Sequence, residues 1–336
     1  MAAPKKKRGR PAKKKESAVG GILDVAKALD GMGVNLTNDI SNFKSPYYVD
    51  SGMFSVNYIL GDEPGIPAGL VMYYGGENSG KTTVALQALI SAQKQGLDCF
   101  YFNQERAVNQ SLINCFPELD ATKINWVTAP DGEACLNAIK HVLRTVPKAF
   151  VVLDSIPACM PKAVLEADAG KSHMAPLAKM FTPFVVDAKN LCFDNQSVLL
   201  LVNQKRENLS MYSFQDVLPG GNAIKHNCDL IVRFKVKGKI SAGEDVIGHT
   251  VEAETMKNRF QGKGKKASST LIYGKGFSKS YDIFDMALQF GLVDKKGAWI
   301  TIGENKFQGV LNAINYLDEN ADIRDDLASQ ITELLT

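Results

Sequence analysis

Gly75, Gly76, Glu77, Asn78, Ser79, Gly80, Lys81, Thr82 and Thr83 are consecutive and fit the pattern G-x-x-x-x-G-K-[ST]. That spacing serves the binding of a nucleoside triphosphate. Gly75 and Gly80 let the backbone turn its N–H groups toward phosphate oxygens, and a helix opening beyond them adds a favourable potential for an anion. Lys81 is placed to reach the β- and γ-phosphates, and the Thr82 hydroxyl to ligate Mg²⁺. A phosphate loop also needs an acid for the metal. Asp154 closes the apolar run AFVVLDS, and strand ends of an open parallel sheet face the ligand crevice. A cap on the following turn is the plainer reading of Asp154. Glu105, in YFNQERAVN, follows another strand and can accept a proton from an attacking water. Gln204 ends SVLLLVNQ, where an amide can bond a γ-phosphate. By spacing alone, Glu105 and Gln204 fit ordinary loop residues equally well.

These side chains need a scaffold that brings strand ends together. Strands are expected at 69–75, 98–103, 149–155, 197–204 and 229–234, all near-continuous apolar runs. Such runs suit strands buried on both faces of a parallel sheet. Helix-like stretches, KTTVALQALISAQKQG and GEACLNAIKHVLR, alternate with them. The expectation is an α/β fold, a P-loop ATPase core with a mainly parallel sheet. Residues 1–16 form a basic arm, expected to be disordered; 17–45 a short amphipathic segment; 46–274 the core; and 275–336 a small C-terminal α/β lobe.

Within the arm, residues 5–15 carry eight basic residues and no acid, against a formal charge of +3 for the whole chain. Without that stretch, 31 basic residues face 36 acidic ones, so the body is mildly acidic. Six cysteines without C-x-x-C spacing read as thiols of a reducing compartment rather than a disulfide framework. The four histidines show no metal-ligand spacing. No apolar run approaches the ~20 residues of a membrane span, and the charged N-terminus lacks the apolar segment of a secretory signal. No membrane partner is expected, and the location is cytoplasmic, or nuclear if the arm is a targeting signal.

In order along the chain, SGMFSVNYILGDEPGIPAGLVMYYGGENSGKTT, YFNQERAV, VVLDSIPACMP, GKSHMAPLAKMF, LVNQKRENLSMYSFQDVLPGGNAIKH, ETMKNRF and LIYGKGF resemble the RecA family of recombinases. The resemblance runs from about residue 50 nearly to the C-terminus. It implies a RecA-like ATPase using ATP and Mg²⁺, with Glu105 as catalytic base. Gln204 would couple the γ-phosphate to a DNA-binding loop. Lys257 and Arg259 would act on a neighbour's ATP within a helical homo-oligomeric filament. Residues 17–45 would dock on that neighbour.

The resemblance also implies two DNA-binding loops. Ser172 and Met174 lie in the first, with Lys179 just after it. Lys205, Arg206, Met211, Tyr212, Phe214, Gly220, Gly221 and Asn222 lie in the second. The second loop has few periodic apolar positions, so it should be exposed or mobile. Met211, Tyr212 and Phe214 can wedge or stack on bases, while Gly220 and Gly221 permit close approach to phosphates. An ordinary surface loop is the plainer alternative.

Several features depart from the family pattern. Leu112 stands where an aromatic is usual, Arg259 replaces a lysine, and the helix after the first loop contains Pro183 and Asp187. The long acidic C-terminal tail of bacterial members is absent. These departures fit a phage-encoded or divergent bacterial member. In the arm, Arg8 and Arg10 sit in RGRP, which resembles an AT-hook for the minor groove. PKKKR resembles a nuclear-localisation signal, and a non-specific phosphate-binding tail remains a third reading. Lys295, Lys296 and Trp299 either capture duplex DNA or belong to a stabilising lobe with Trp299 in its core.

The implied function is ATP-dependent strand exchange on single- and double-stranded DNA, with mediator and single-strand-binding proteins as further partners. A ring-forming helicase or mediator, or a DNA-coating architectural protein, are the alternatives.

Overall fold

The computed structural model describes residues 27, 29–33, 44–61, 63–167, 174–205, 218–260 and 264–335. Residues 1–44 form one unit and 45–336 another. In the first, the described residues make a helical turn in which the Gly31 N–H donates to the Lys27 carbonyl at 3.0 Å. The basic arm and nearly all of the amphipathic segment lie outside the described residues.

The larger unit runs β1 (Tyr48–Val49), α1 (Phe54–Leu60), β2 (Ile66–Pro67), β3 (Gly69–Gly75), α2 (Lys81–Lys94), β4 (Asp98–Asn103), β5 (Ile124–Val127), α3 (Gly132–Thr145) and β6 (Ala149–Asp154). It continues with α4 (Met174–Asp194), β7 (Val198–Gln204), α5 (Asn222–Asn227), β8 (Leu230–Ala242), β9 (Asp245–Asn258), β10 (Lys266–Ile272) and β11 (Gly276–Phe277). The C-terminal part holds α6 (Lys279–Gln289), β12 (Val293–Lys296), β13 (Trp299–Ile302), β14 (Asn305–Gln308), α7 (Val310–Glu319) and α8 (Ala321–Leu335).

Among the described residues, nine strands form one sheet in the order β11-β10-β9-β8-β3-β7-β6-β4-β5. From β8 to β5 neighbouring strands are parallel; from β8 to β11 they are antiparallel. β3 and β6 are buried along their whole length, as their apolar runs require. Alternation along β3 sends Val71 and Tyr73 into one core and Leu70 and Met72 into the other. The first core includes α1, α2, α6, α7 and α8; the second includes α3, α4 and α5. Helices thus cover both faces and leave the strand ends to build a site.

Local chemistry sets the helix starts. The Asp131 side chain accepts from the Ala134 N–H at 2.7 Å and caps α3, and Ser278 caps α6 in the same way at 3.3 Å. α2 starts differently, from Gly80 at φ +80°. A Cβ there would lie 2.6 Å from the Phe277 ring, so glycine is required by both conformation and packing.

Two expectations are corrected. The run at 229–234 begins a strand that continues to Ala242 and returns as β9, so the sheet carries an antiparallel wing. Trp299 is not in the core of the C-terminal lobe. It is 45% exposed, with the Lys306 ammonium 4.9 Å from its ring centroid. The six cysteines are all free, and only Cys115 is not fully buried.

Candidate active site

The loop 75–80 joins β3 to α2. Gly75 is held closely: a Cβ there would lie 2.2 Å from the Phe234 carbonyl oxygen. Lys81 folds back over the loop, donating to the Gly76 carbonyl at 2.7 Å. Burial lowers its ammonium below the ordinary lysine value, against the opposing charges of Asp154, Glu105 and Glu77.

Thr82 and Tyr101 both donate to Asp154 Oδ2, at 2.7 and 2.6 Å. Asp154 is 1% exposed, and its Oδ1 is buried without a protein partner. Burial raises the Asp154 carboxyl above the usual carboxylate range, and the two hydroxyl donors oppose that rise. An orphaned carboxylate oxygen beside the Thr82 hydroxyl suits a hard cation that keeps waters and phosphate oxygens as its other ligands. The residues therefore fit Mg²⁺. Among the described residues there is no cluster of three or more His, Cys, Asp or Glu side chains suited to a metal held by protein alone.

Glu105 sits beyond β4, where its N–H donates to the Asp154 carbonyl at 3.0 Å. Its Oε2 accepts from Ser155 at 2.5 Å and its Oε1 from Gln204 at 2.9 Å. Lys81, Thr82, Glu105, Asp154 and Gln204 line one cavity of about 620 Å³, together with Glu77, Asn78, Ser79, Gly80 and Thr83. The strand ends of β3, β4, β6 and β7 thus bring together the residues selected from sequence spacing.

Lys257 and Arg259 are not among the residues that line this cavity. Lys257 donates to the carbonyls of Lys225 and His226 at 2.9 and 2.7 Å. Arg259 donates to the His226 carbonyl at 2.9 Å and pairs with Asp229 at 3.3 Å. Both cap the C-terminal end of α5.

Of the expected DNA contacts, Arg8, Arg10, Ser172, Arg206, Met211, Tyr212 and Phe214 lie outside the described residues, and the Met174 backbone opens α4. Lys179, Lys205 and Asn222 are exposed. Gly220 and Gly221 have φ of +86° and +82°. Cβ atoms there would lie 2.3 Å from Ile224 and 3.0 Å from Ala178, so internal packing already demands glycine at both. Asn203, next to Gln204, donates to the Pro219 carbonyl at 3.0 Å.

Sequence reasoning missed Tyr101, Ser155, His249 and Tyr273. Tyr101 and Ser155 carry the hydrogen bonds above, and His249 and Tyr273 line the cavity. Tyr101 lies in the apolar run of β4, a pattern that marks its burial but not its partner. His249, on β9, is far from the loop in sequence and had no motif to mark it; Tyr273, just beyond β10, lies in LIYGKGF, a segment that carried the resemblance but gave no site role.

Residues 31–278 match the RecA N-terminal domain, and 281–336 the RecA C-terminal domain. A protein RecA from Sulfurovum sp. (strain NBC37-1) is 30% identical over 323 residues, which is 93% of this chain and 92% of that protein. The crystal structure of the RadB recombinase superposes with a TM-score of 0.51 at 20% identity, covering 68% of this chain and 98% of that one; that likeness is one of fold. With the loop, the paired strand-end acids and both domain matches in the same order, the chain belongs to the RecA family.

Proposed function

We propose that this chain is a DNA-dependent ATPase that polymerises on single-stranded DNA as a helical filament and exchanges strands with a homologous duplex in recombination and repair. The observation that carries the reading is the Gln204–Glu105 bond. Segment 206–217 is the larger part of the second loop; in sequence it lies between Lys205, next after Gln204, and Leu218, and the following Pro219 accepts from Asn203. Nucleic acid on that segment acts on the strand end that also holds the candidate base.

In this reading Lys81 draws charge from the β- and γ-phosphates, and Glu105 accepts a proton from the attacking water. Thr82 and Asp154 hold Mg²⁺, which when bound neutralises charge on the phosphoryl oxygens. Glu77, Asn78, Ser79 and Thr83 shape the cradle with Gly75, Gly76 and Gly80. Lys257 and Arg259 serve the triphosphate of the adjoining subunit, where cations offset charge in the transition state. Lys179, Lys205 and Arg206 meet phosphates, Met211, Tyr212 and Phe214 stack on bases, and Ser172, Met174, Gly220, Gly221 and Asn222 shape the contact. Arg8 and Arg10 of the arm hold duplex DNA. The setting is the cytoplasm of a bacterium, or of one infected by a phage that encodes the chain, with mediator and single-strand-binding proteins as partners.

The test is the ATPase rate with and without single-stranded DNA, alongside electron microscopy of the complex. Stimulation with continuous filaments is expected, and Lys81→Ala should abolish strand exchange. Intact nucleotide binding without any DNA stimulation would refute the proposal; closed rings would favour a helicase or mediator.

A further inference from the structure

His249 lies on β9, opposite Leu271 of β10, and is 4% exposed. Its two ring nitrogens reach in different directions. Nε2 is 2.7 Å from the Asn78 carbonyl oxygen, within the phosphate loop. Nδ1 is 3.3 Å from the Tyr273 hydroxyl, and the two rings lie 5.6 Å apart between centroids.

The Asn78 carbonyl can only accept, so Nε2 carries the hydrogen. In the neutral ring Nδ1 is then an acceptor, and the Tyr273 hydroxyl must donate to it. One relay therefore runs from Tyr273 through His249 to the loop. Asn78 has φ +55°, a region sparsely used by residues other than glycine, though tolerated by asparagine. A donor fixed on its carbonyl helps hold that conformation. Tyr273 is 55% exposed and lines the same cavity, beside the apolar Leu271.

We infer that His249 is a positioning residue of the nucleotide site, tying the phosphate loop to the Tyr273 wall so that phosphates and base are received in one fixed geometry. The ligand class is a nucleoside triphosphate with an aromatic base, so the inference rests on the ATP-binding reading above. His249 touches the loop and the wall, not the reacting atoms. Its loss should therefore act on binding more than on turnover.

The experiment titrates a fluorescent ATP analogue with Mg²⁺ into the full chain and four variants, three single and one double. His249→Ala is expected to weaken binding about tenfold, the scale of one lost buried hydrogen bond. His249→Gln restores a donor to the Asn78 carbonyl and should recover most of that loss. Tyr273→Phe keeps the ring but removes the hydroxyl. Combined with His249→Ala it should add nothing further, because the partner is already gone. In steady state the His249→Ala variant should raise KM by a larger factor than it lowers kcat. Unchanged affinity in a folded His249→Ala variant overturns the inference. So does a glutamine variant as weak as the alanine one, or full additivity with Tyr273→Phe. If His249→Ala fails to fold, the glutamine variant and Tyr273→Phe decide it: wild-type affinity in Tyr273→Phe would refute the relay. A wild-type chain that does not bind the analogue refutes the ATP reading itself, a separate result.

Discussion

Gln204 donates its side-chain amide to Glu105 across 2.9 Å, although the strands that lead to them, β7 and β4, are separated in the sheet by β6. Ser155, just past the end of β6, donates to the other oxygen of the same carboxylate. Three adjacent strand ends therefore hold one acid. An amide N–H can serve a carboxylate oxygen or a phosphate oxygen equally, so Gln204 is able to exchange one for the other when a triphosphate arrives.

Replacing Gln204 by alanine should separate binding from coupling. The Gln204–Glu105 bond is solvent-exposed, and a hydrogen bond contributes only about 1 kcal/mol net, so the fold should survive. ATP should still bind, while single-stranded DNA no longer accelerates hydrolysis. Rates measured with and without DNA decide the matter, and retained stimulation contradicts the coupling role.

Tyr101 and Thr82 converge on Asp154 Oδ2 and leave Oδ1 for a cation. The Tyr101 phenol is fully buried and stays protonated, because burial first and the Asp154 charge next raise it well above the ordinary tyrosine value. Tyr101→Phe removes a donor that orients the carboxylate while keeping the ring. Outer-shell losses of this type weaken metal binding about tenfold. The Mg²⁺ concentration for half-maximal nucleotide binding should rise by that order, with little change in Tm. An unchanged Mg²⁺ requirement would show that Thr82 and the backbone suffice.

The parallel half of the sheet and the loop at 75–83 were legible because each rests on local sequence. β3, β6 and β7 are unbroken apolar runs, and the loop has fixed spacing. β9 was missed, although Val251, Ala253 and Thr255 are buried between the half-buried Glu252 and Glu254. That alternation is the signal of a strand, masked by its many polar residues. The roles of Tyr101, Ser155 and His249 were illegible for a different reason. Each depends on which strand end stands beside which, and the pairing order is a property of the folded sheet. Lys257 and Arg259 were selected by resemblance, and their bonds to the end of α5 could not be read from spacing.

The eight basic residues of the arm are attached to a body of net negative charge. Deleting residues 1–15 should weaken duplex binding and reduce its sensitivity to salt. The slope of log affinity against log salt should flatten by about 0.9 for each phosphate that the arm no longer neutralises. ATPase activity without DNA should persist, since the nucleotide-site residues all lie in the body. Titrations of duplex at several salt concentrations test this. Unmoved affinity favours the reading of PKKKR as a nuclear-localisation signal.

Asp285 on α6 supplies a pH test of the join between α6 and the C-terminal strands. Burial, and then the nearby Asp282 charge, push its carboxyl up to about 7, while Lys295 draws it down. The folded chain therefore keeps a proton that the unfolded chain has already lost across the window from the ordinary aspartate value to about 7. Where the native state holds the extra proton, stability falls as pH rises, and the loss is complete above that window. Asp285→Asn keeps the shape and cannot ionise. It should raise Tm by roughly 3 °C at about pH 8 and by much less near pH 4.5. Thermal melts of both proteins across this range give the answer. A gain that is equal at both ends, or a lower Tm for the variant at the alkaline end, would mean the carboxylate is satisfied in its ionised form.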